Sequence, residues 1–152
     1  AFSFAYNYNE TEVDSYTAVT GDFKVSRLEN DLPNHRATAT WSQTYDDFSF
    51  FIRGNYYGEY QGVHVDYDAT INDGDAAMTL DAELSYFVAE DIVLSVGAQN
   101  LFDQQATKIN FTEQGAADCG GCVNNQWGGK YYETSPFGFN GGFYYVKATY
   151  NF

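Results

Sequence analysis

Few residues of this sequence have the types and spacing for chemistry. Cys119-Gly-Gly-Cys122 sets two thiols at a spacing that serves a disulfide, a metal site or a redox pair. A metal or redox site needs stabilised thiolates and a suitable setting. No second Cys/His pair lies nearby, His35 and His64 fall elsewhere, and no βαβ pattern accompanies the motif. Glu59, Asp66, Asp68, Asp73 and Asp75 offer oxygen ligands, yet Asp73-Gly-Asp75 is too short for a calcium loop. A solvated acidic loop is the expected reading. Arg53, Asp81, Glu83 and Lys147 could bind substrate, but pairing across neighbouring strands, or contact with a domain plugging the lumen, is the expectation. Tyr60, Tyr67, Trp127, Tyr131, Tyr132, Phe137 and Phe139 could stack on a sugar or siderophore, or pack within their own loops. Trp127-Gly-Gly-Lys130 lacks the spacing and following helix of a phosphate loop. No nucleophile and base fall into a catalytic set, so neither an enzyme nor a bound cofactor is expected.

The elements that must position these residues are strands. The 152 residues suffice for one domain. The net charge of −14 removes the basic footprint of a nucleic-acid binder. Aromatic residues are abundant, with 14 Tyr, 13 Phe and 2 Trp, while no run of about 18 apolar residues could form a transmembrane helix. The chain starts at Ala1 with no secretory signal, so a processed chain or a fragment is expected.

Apolar residues recur with period two rather than 3.6. Phe2, Phe4, Tyr6 and Tyr8 alternate with small or polar residues; so do Ala37, Ala39, Trp41 and Tyr45. Phe48, Phe50, Ile52, Gly54 and Tyr56 form a third such face, and Met78, Leu80, Ala82, Leu84 and Tyr86 a fourth. Ile92, Leu94, Val96 and Ala98 give the fifth; Tyr144, Val146, Ala148, Tyr150 and Phe152 give the sixth. Each segment runs for roughly 9–11 residues, the length of a tilted strand across a bilayer. Short turns at Asp46-Asp47 and Val88–Asp91 alternate with long polar loops near 14–34, 58–77 and 103–142. That asymmetry predicts an all-β fold: an antiparallel transmembrane β-barrel segment of about six strands. Short turns then face the periplasm and long loops the exterior. Tyr8, Tyr56 and Tyr144 fall at the outer interface; Phe2, Tyr45, Phe48, Tyr86, Tyr150 and Phe152 fall at the inner one. Trp41, nearer mid-depth, does not fit this girdle. The loop of Cys119 and Cys122 faces an oxidising exterior, which favours a disulfide over free thiols or a metal site. A soluble β-sandwich shares the alternation, but the loop asymmetry and aromatic placement argue against it.

An amphipathic strand ending in Phe, here Tyr144, Val146, Ala148, Tyr150 and Phe152, resembles the assembly signal of bacterial outer-membrane proteins. Leu94–Gln104, "LSVGAQNLFDQ", resembles the penultimate strand of TonB-dependent receptors, which often leads into Asn-Leu-Phe-Asp, here Asn100, Leu101, Phe102 and Asp103. Leu32–Trp41, Arg53–Tyr60, Thr79–Gly97 and Ser135–Phe152 also resemble closing strands of that family. The resemblance covers nearly the whole chain and is silent on substrate. It implies a barrel of about 22 strands with an N-terminal plug and a TonB box. Residues 1–152 would be the C-terminal portion, without the plug, supplying wall, loops and assembly signal. The implied partners are the rest of the barrel and plug, TonB–ExbB–ExbD, the outer-membrane assembly machinery, lipid and lipopolysaccharide. Active uptake of a scarce nutrient across the bacterial outer membrane is the implied function. The alternative is a structural or adhesive barrel component without active transport.

Overall fold

The structure, a computed structural model, describes residues 1–17, 21–63, 71–108, 131 and 135–152. Its main element is a six-stranded antiparallel sheet: β1 (Phe2–Tyr8), β2 (His35–Tyr45), β3 (Phe48–Tyr57), β6 (Ala77–Ala89), β7 (Ile92–Gln99) and β8 (Phe143–Tyr150), in that spatial order. Each strand neighbours the next long one in sequence, as a meander requires. Among the described residues the sheet is open, with β1 and β8 as its edges, and does not close into a barrel.

The six expected strands and the short turns are present, but β8 ends at Tyr150, so Phe152 lies beyond the expected terminal strand, and the strands run 7 to 13 residues rather than 9–11. Tyr45 pairs with Phe48 across Asp46-Asp47, where Asp46 takes φ 52°. Aspartate tolerates this left-handed conformation better than most L-residues. The β6–β7 turn is tighter than the expected Val88–Asp91: Ala89 pairs with Ile92, and a register shift between Phe87 and Ala89 absorbs the odd residue.

The long connections carry structure that period two does not reveal. Helix α1 (Asp22–Asn30) lies within the segment expected as a loop near 14–34. The hairpin strands β4 (Tyr60–Val63) and β5 (Ile71–Gly74) lie within the loop near 58–77. The helix packs on the hairpin: Ser26 Oγ donates to Gln61 Oε1 at 3.2 Å, and Val25 and Tyr60 are both buried. A short helix of nine residues is marginal by itself and takes its stability from such packing.

Register aligns the side-chain parities of all six strands. One row runs Phe2, Trp41, Ile52, Ala82, Ala98, Tyr144, each paired with the next. A neighbouring row on the other face runs Ser42, Phe51, Glu83, Gly97, Tyr145. The apolar face is the exposed one: Val146 is 82 %, Phe2 71 % and Val96 53 % exposed. On the polar face Ser95, Thr79 and Ser85 of β6 and β7 are covered, at 4 %, 7 % and 9 % exposed, while Ser3, Asn7, Arg53 and Lys147 of the same parity are exposed. Aromatic rings gather at both ends of the apolar face. Tyr6 and Tyr8 surround His35 at the long-loop end, with Tyr6 Oη 2.8 Å from His35 Nδ1. Phe48 meets Tyr86 at the short-turn end, with ring centres 4.9 Å apart.

Candidate functional site

The polar face joins its strands through side chains. Asn55 on β3 accepts from Thr38 on β2 at 3.3 Å and donates to Thr79 and Asp81 on β6 at 3.2 and 3.4 Å. Ser85 and Ser95 share a 2.8 Å hydrogen bond between β6 and β7. Glu83 accepts from Tyr145 Oη at 2.7 Å and from Lys147 Nζ at 3.3 Å, both on β8. Arg53 lies directly opposite Asp81 in register, yet its Nε donates to Thr40 at 3.4 Å and its guanidinium covers Phe51 at 4.9 Å. Arg53, Asp81, Glu83 and Lys147 therefore serve cross-strand contacts, as their positions predict.

Gly97 makes room for this network. A Cβ there would fall 2.5 Å from Tyr145 Cζ and 3.0 Å from the Ala82 carbonyl. The Tyr145 ring covers the bare backbone and carries its hydroxyl to Glu83. A glycine in a strand often marks such a close approach.

Asn100, Leu101, Phe102 and Asp103 form a turn that binds three strands to the last long loop. Asn100 and Asp103 adopt φ 50° and 55°. Asn100 N–H donates to Asp81 Oδ1 at 2.9 Å and Leu101 N–H to the Leu80 carbonyl at 2.7 Å, tying the turn to β6. The Asn100 side chain both accepts from Gln104 N–H and donates to the Gln104 carbonyl, at 2.9 and 2.8 Å. Asp103 Oδ1 accepts from Gly142 N–H at 2.7 Å and Gln105 Nε2 at 2.8 Å, while Tyr144 Oη donates to the Leu101 carbonyl at 2.9 Å. Phe102 is exposed. Asn and Asp suit these places because their short side chains bond nearby backbone and tolerate positive φ.

Above this turn, at the long-loop end of the polar face, lies a cleft of about 590 Å³. Asn55, Tyr57, Thr79, Asp81, Gln99, Phe137 and Asn140 are among the residues that line it. Tyr57 and Phe137 meet with ring centres 5.3 Å apart. Of these residues only Asp81 and Phe137 stand out from sequence alone. The others share one parity at adjacent strand ends, which is visible only once register is known.

Of the aromatic residues that could stack on a ligand or pack within their own loops, Tyr60 is 7 % exposed and packs over Gly74, so its ring serves the hairpin. Burial pushes its phenol above the ordinary value, partly offset by hydrogen bonding with Thr107. Tyr131 donates to Gln105 at 3.2 Å and its ring lies 6.2 Å from that of Phe139. Tyr67, Trp127, Tyr132, Cys119 and Cys122 lie outside the described residues, as do His64, Asp66, Asp68 and Lys130. Among the described residues, no group of three or more His, Cys, Asp or Glu is placed to hold a metal ion. The cleft's chemistry is that of hydrogen bonding and stacking. No protein-family model, curated protein or solved structure matches the chain.

Proposed function

We propose that this chain forms part of the wall and the extracellular loops of a bacterial outer-membrane receptor for TonB-dependent uptake of a scarce nutrient. The observation that carries the membrane half of this reading is the inside-out sheet. Most of its large apolar side chains share one exposed face, and hydrogen-bonded polar side chains share the other, where Thr79, Ser85 and Ser95 are buried. Burying one such apolar side chain is worth about 1.5–3 kcal/mol, so a whole face calls for an apolar surrounding. A soluble sandwich would need a second sheet on that face. The other sheet among the described residues is the two-stranded β4–β5 hairpin.

The stagger of the strands supports a barrel wall. The row from Phe2 to Tyr144 joins the start of β1 to the start of β8, which runs the opposite way. Five strand spacings of about 4.8 Å make about 24 Å, and a tilt of about 45° turns that into a climb of about 17 Å. Seven residues of tilted strand rise about 16 Å. Phe2 at the inner rim and Tyr144 at the outer rim then follow from one tilt, and Trp41 takes its depth from the same row.

The receptor half rests on the resemblance of Leu94–Gln104 and the flanking strands to TonB-dependent receptors. The Asn100–Asp103 turn gives that motif a physical task, holding the base of an extracellular loop. On this reading β8 presents Tyr144, Val146, Ala148 and Tyr150 along an open edge, which suits recognition by strand addition during assembly. The remaining barrel, plug, TonB–ExbB–ExbD, assembly machinery, lipid and lipopolysaccharide are the proposed partners.

The test uses the full-length protein in its native cells. Expected are outer-membrane fractionation, a heat-modifiable band, and nutrient uptake that stops when TonB is removed. Uptake untouched by loss of TonB, with the barrel still present, would favour a structural or adhesive component. Full solubility without detergent would overturn the membrane reading itself.

A further inference from the structure

We propose that the cleft at the long-loop end of the polar face binds a neutral, polyhydroxylated ligand, of the chemistry presented by the end of an oligosaccharide. This deepens the receptor reading and rests on it for one point, that the cleft opens towards the exterior.

The lining decides the chemistry. Asn55, Gln99 and Asn140 bring amides, each carrying donors and acceptors together; Thr79 adds a hydroxyl and Asp81 an acceptor. Adjacent hydroxyls on a sugar ring also donate and accept together, so amides and carboxylates match them in pairs. Tyr57 and Phe137 form an aromatic wall that suits the apolar C–H face of such a ring. Among the described residues no Lys, Arg or His lines the cleft, and Asp81 supplies a negative charge. Phosphate, carboxylate and other anionic ligands thus meet repulsion from Asp81, with no compensating cation among the described lining residues. A volume of about 590 Å³ lies within the range of small-molecule sites, about 300–1,000 Å³.

Part of the site is fixed before any ligand arrives. Asn55, Thr79 and Asp81 are held by hydrogen bonds to one another, and Asn100 N–H holds the other oxygen of Asp81. Holding groups in place in advance lowers the ordering cost of binding. The side chains of Gln99 and Asn140 make no hydrogen bond among the described residues, which leaves their amides available.

The test takes the full-length protein in detergent micelles. Maltohexaose, cellohexaose, xylohexaose and chitohexaose are titrated by calorimetry beside a ferric hydroxamate siderophore. Gln99→Leu and Asn140→Leu remove amides at similar size; Lys147→Met is the control outside the cleft. Heat modifiability reports the barrel independently. Expected is binding of at least one oligosaccharide, weakened about tenfold by each cleft variant and unchanged by the control, since about 1.4 kcal/mol is one strong net hydrogen bond. No oligosaccharide binding by heat-modifiable protein overturns the proposal, as does siderophore binding that the cleft variants abolish. Oligosaccharide binding by a protein that is not a barrel would uphold the cleft and overturn the receptor reading.

Discussion

On one face of the sheet Val96, Val146 and Phe2 stand uncovered; on the other Thr79, Ser85 and Ser95 are sealed. The two faces belong to the same strands and alternate residue by residue. A water-soluble sheet resolves that alternation by hiding the apolar parity. This one leaves the apolar parity exposed and joins the polar parity by hydrogen bonds from Thr38 to Lys147, burying it at Thr79, Ser85 and Ser95. The difference teaches where each kind of energy lies. On the proposed membrane reading the apolar face would draw its stabilisation from surrounding lipid and the polar face from neighbouring strands, so the same substitution should act differently on the two.

The sharpest way to break the contrast is to place charge on the apolar face. On the proposed barrel reading, Val96→Arg and Val146→Arg should each destabilise the full-length protein refolded into lipid vesicles by about 2–4 kcal/mol, measured by denaturant titration. Stability within about 0.5 kcal/mol of the parent would mean that this face does not meet lipid. Gly97→Val probes the crowding on the other face. It should cost about 1–3 kcal/mol, the usual range for overpacking, because the new side chain meets Tyr145 and the Ala82 carbonyl. Adding Tyr145→Ala should recover part of that loss; a purely additive double variant would count against their contact. Ser85→Ala should cost about 1 kcal/mol by orphaning the Ser95 hydroxyl, and the Ser85→Ala/Ser95→Ala pair should cost less than twice that. Lys147→Met should have the smallest effect, below about 1 kcal/mol, since its pair with Glu83 is partly exposed. A larger loss there would make the polar face depend on charge rather than on hydrogen bonding.

The strands were legible because period two, sustained from Phe48 to Tyr56 or from Met78 to Tyr86, leaves little choice of register once one face is apolar. The helix was not. Its Val25 and Leu28 give a short apolar pattern, Gly21 at the N-cap contributes no capping side chain, and Leu28 is exposed. The β4–β5 hairpin was hidden because Gln61-Gly62 faces Asn72-Asp73, polar residues of low strand preference, and its support comes from packing against α1. Of the site, the charged pairs followed from strand position. The task of Asn100 and Asp103 did not, since it consists of side chains bonding backbone up to 39 residues away. The Tyr57–Phe137 wall likewise joins a strand end to a segment far along the chain, which no local pattern encodes.

The bond from Gly142 N–H to Asp103 has a consequence for how such a molecule can change over generations. Together with Tyr144 Oη on the Leu101 carbonyl, it closes the base of everything between Asp103 and Gly142. Once a loop is shut at its root, doubling its length adds only about 0.6 kcal/mol of closure entropy. The wall is then indifferent to what is strung above that knot. On the proposed receptor reading, insertion, deletion or wholesale exchange there would alter what the outer surface recognises while the sheet keeps its register, so the turn would act as a socket into which new specificities can be fitted.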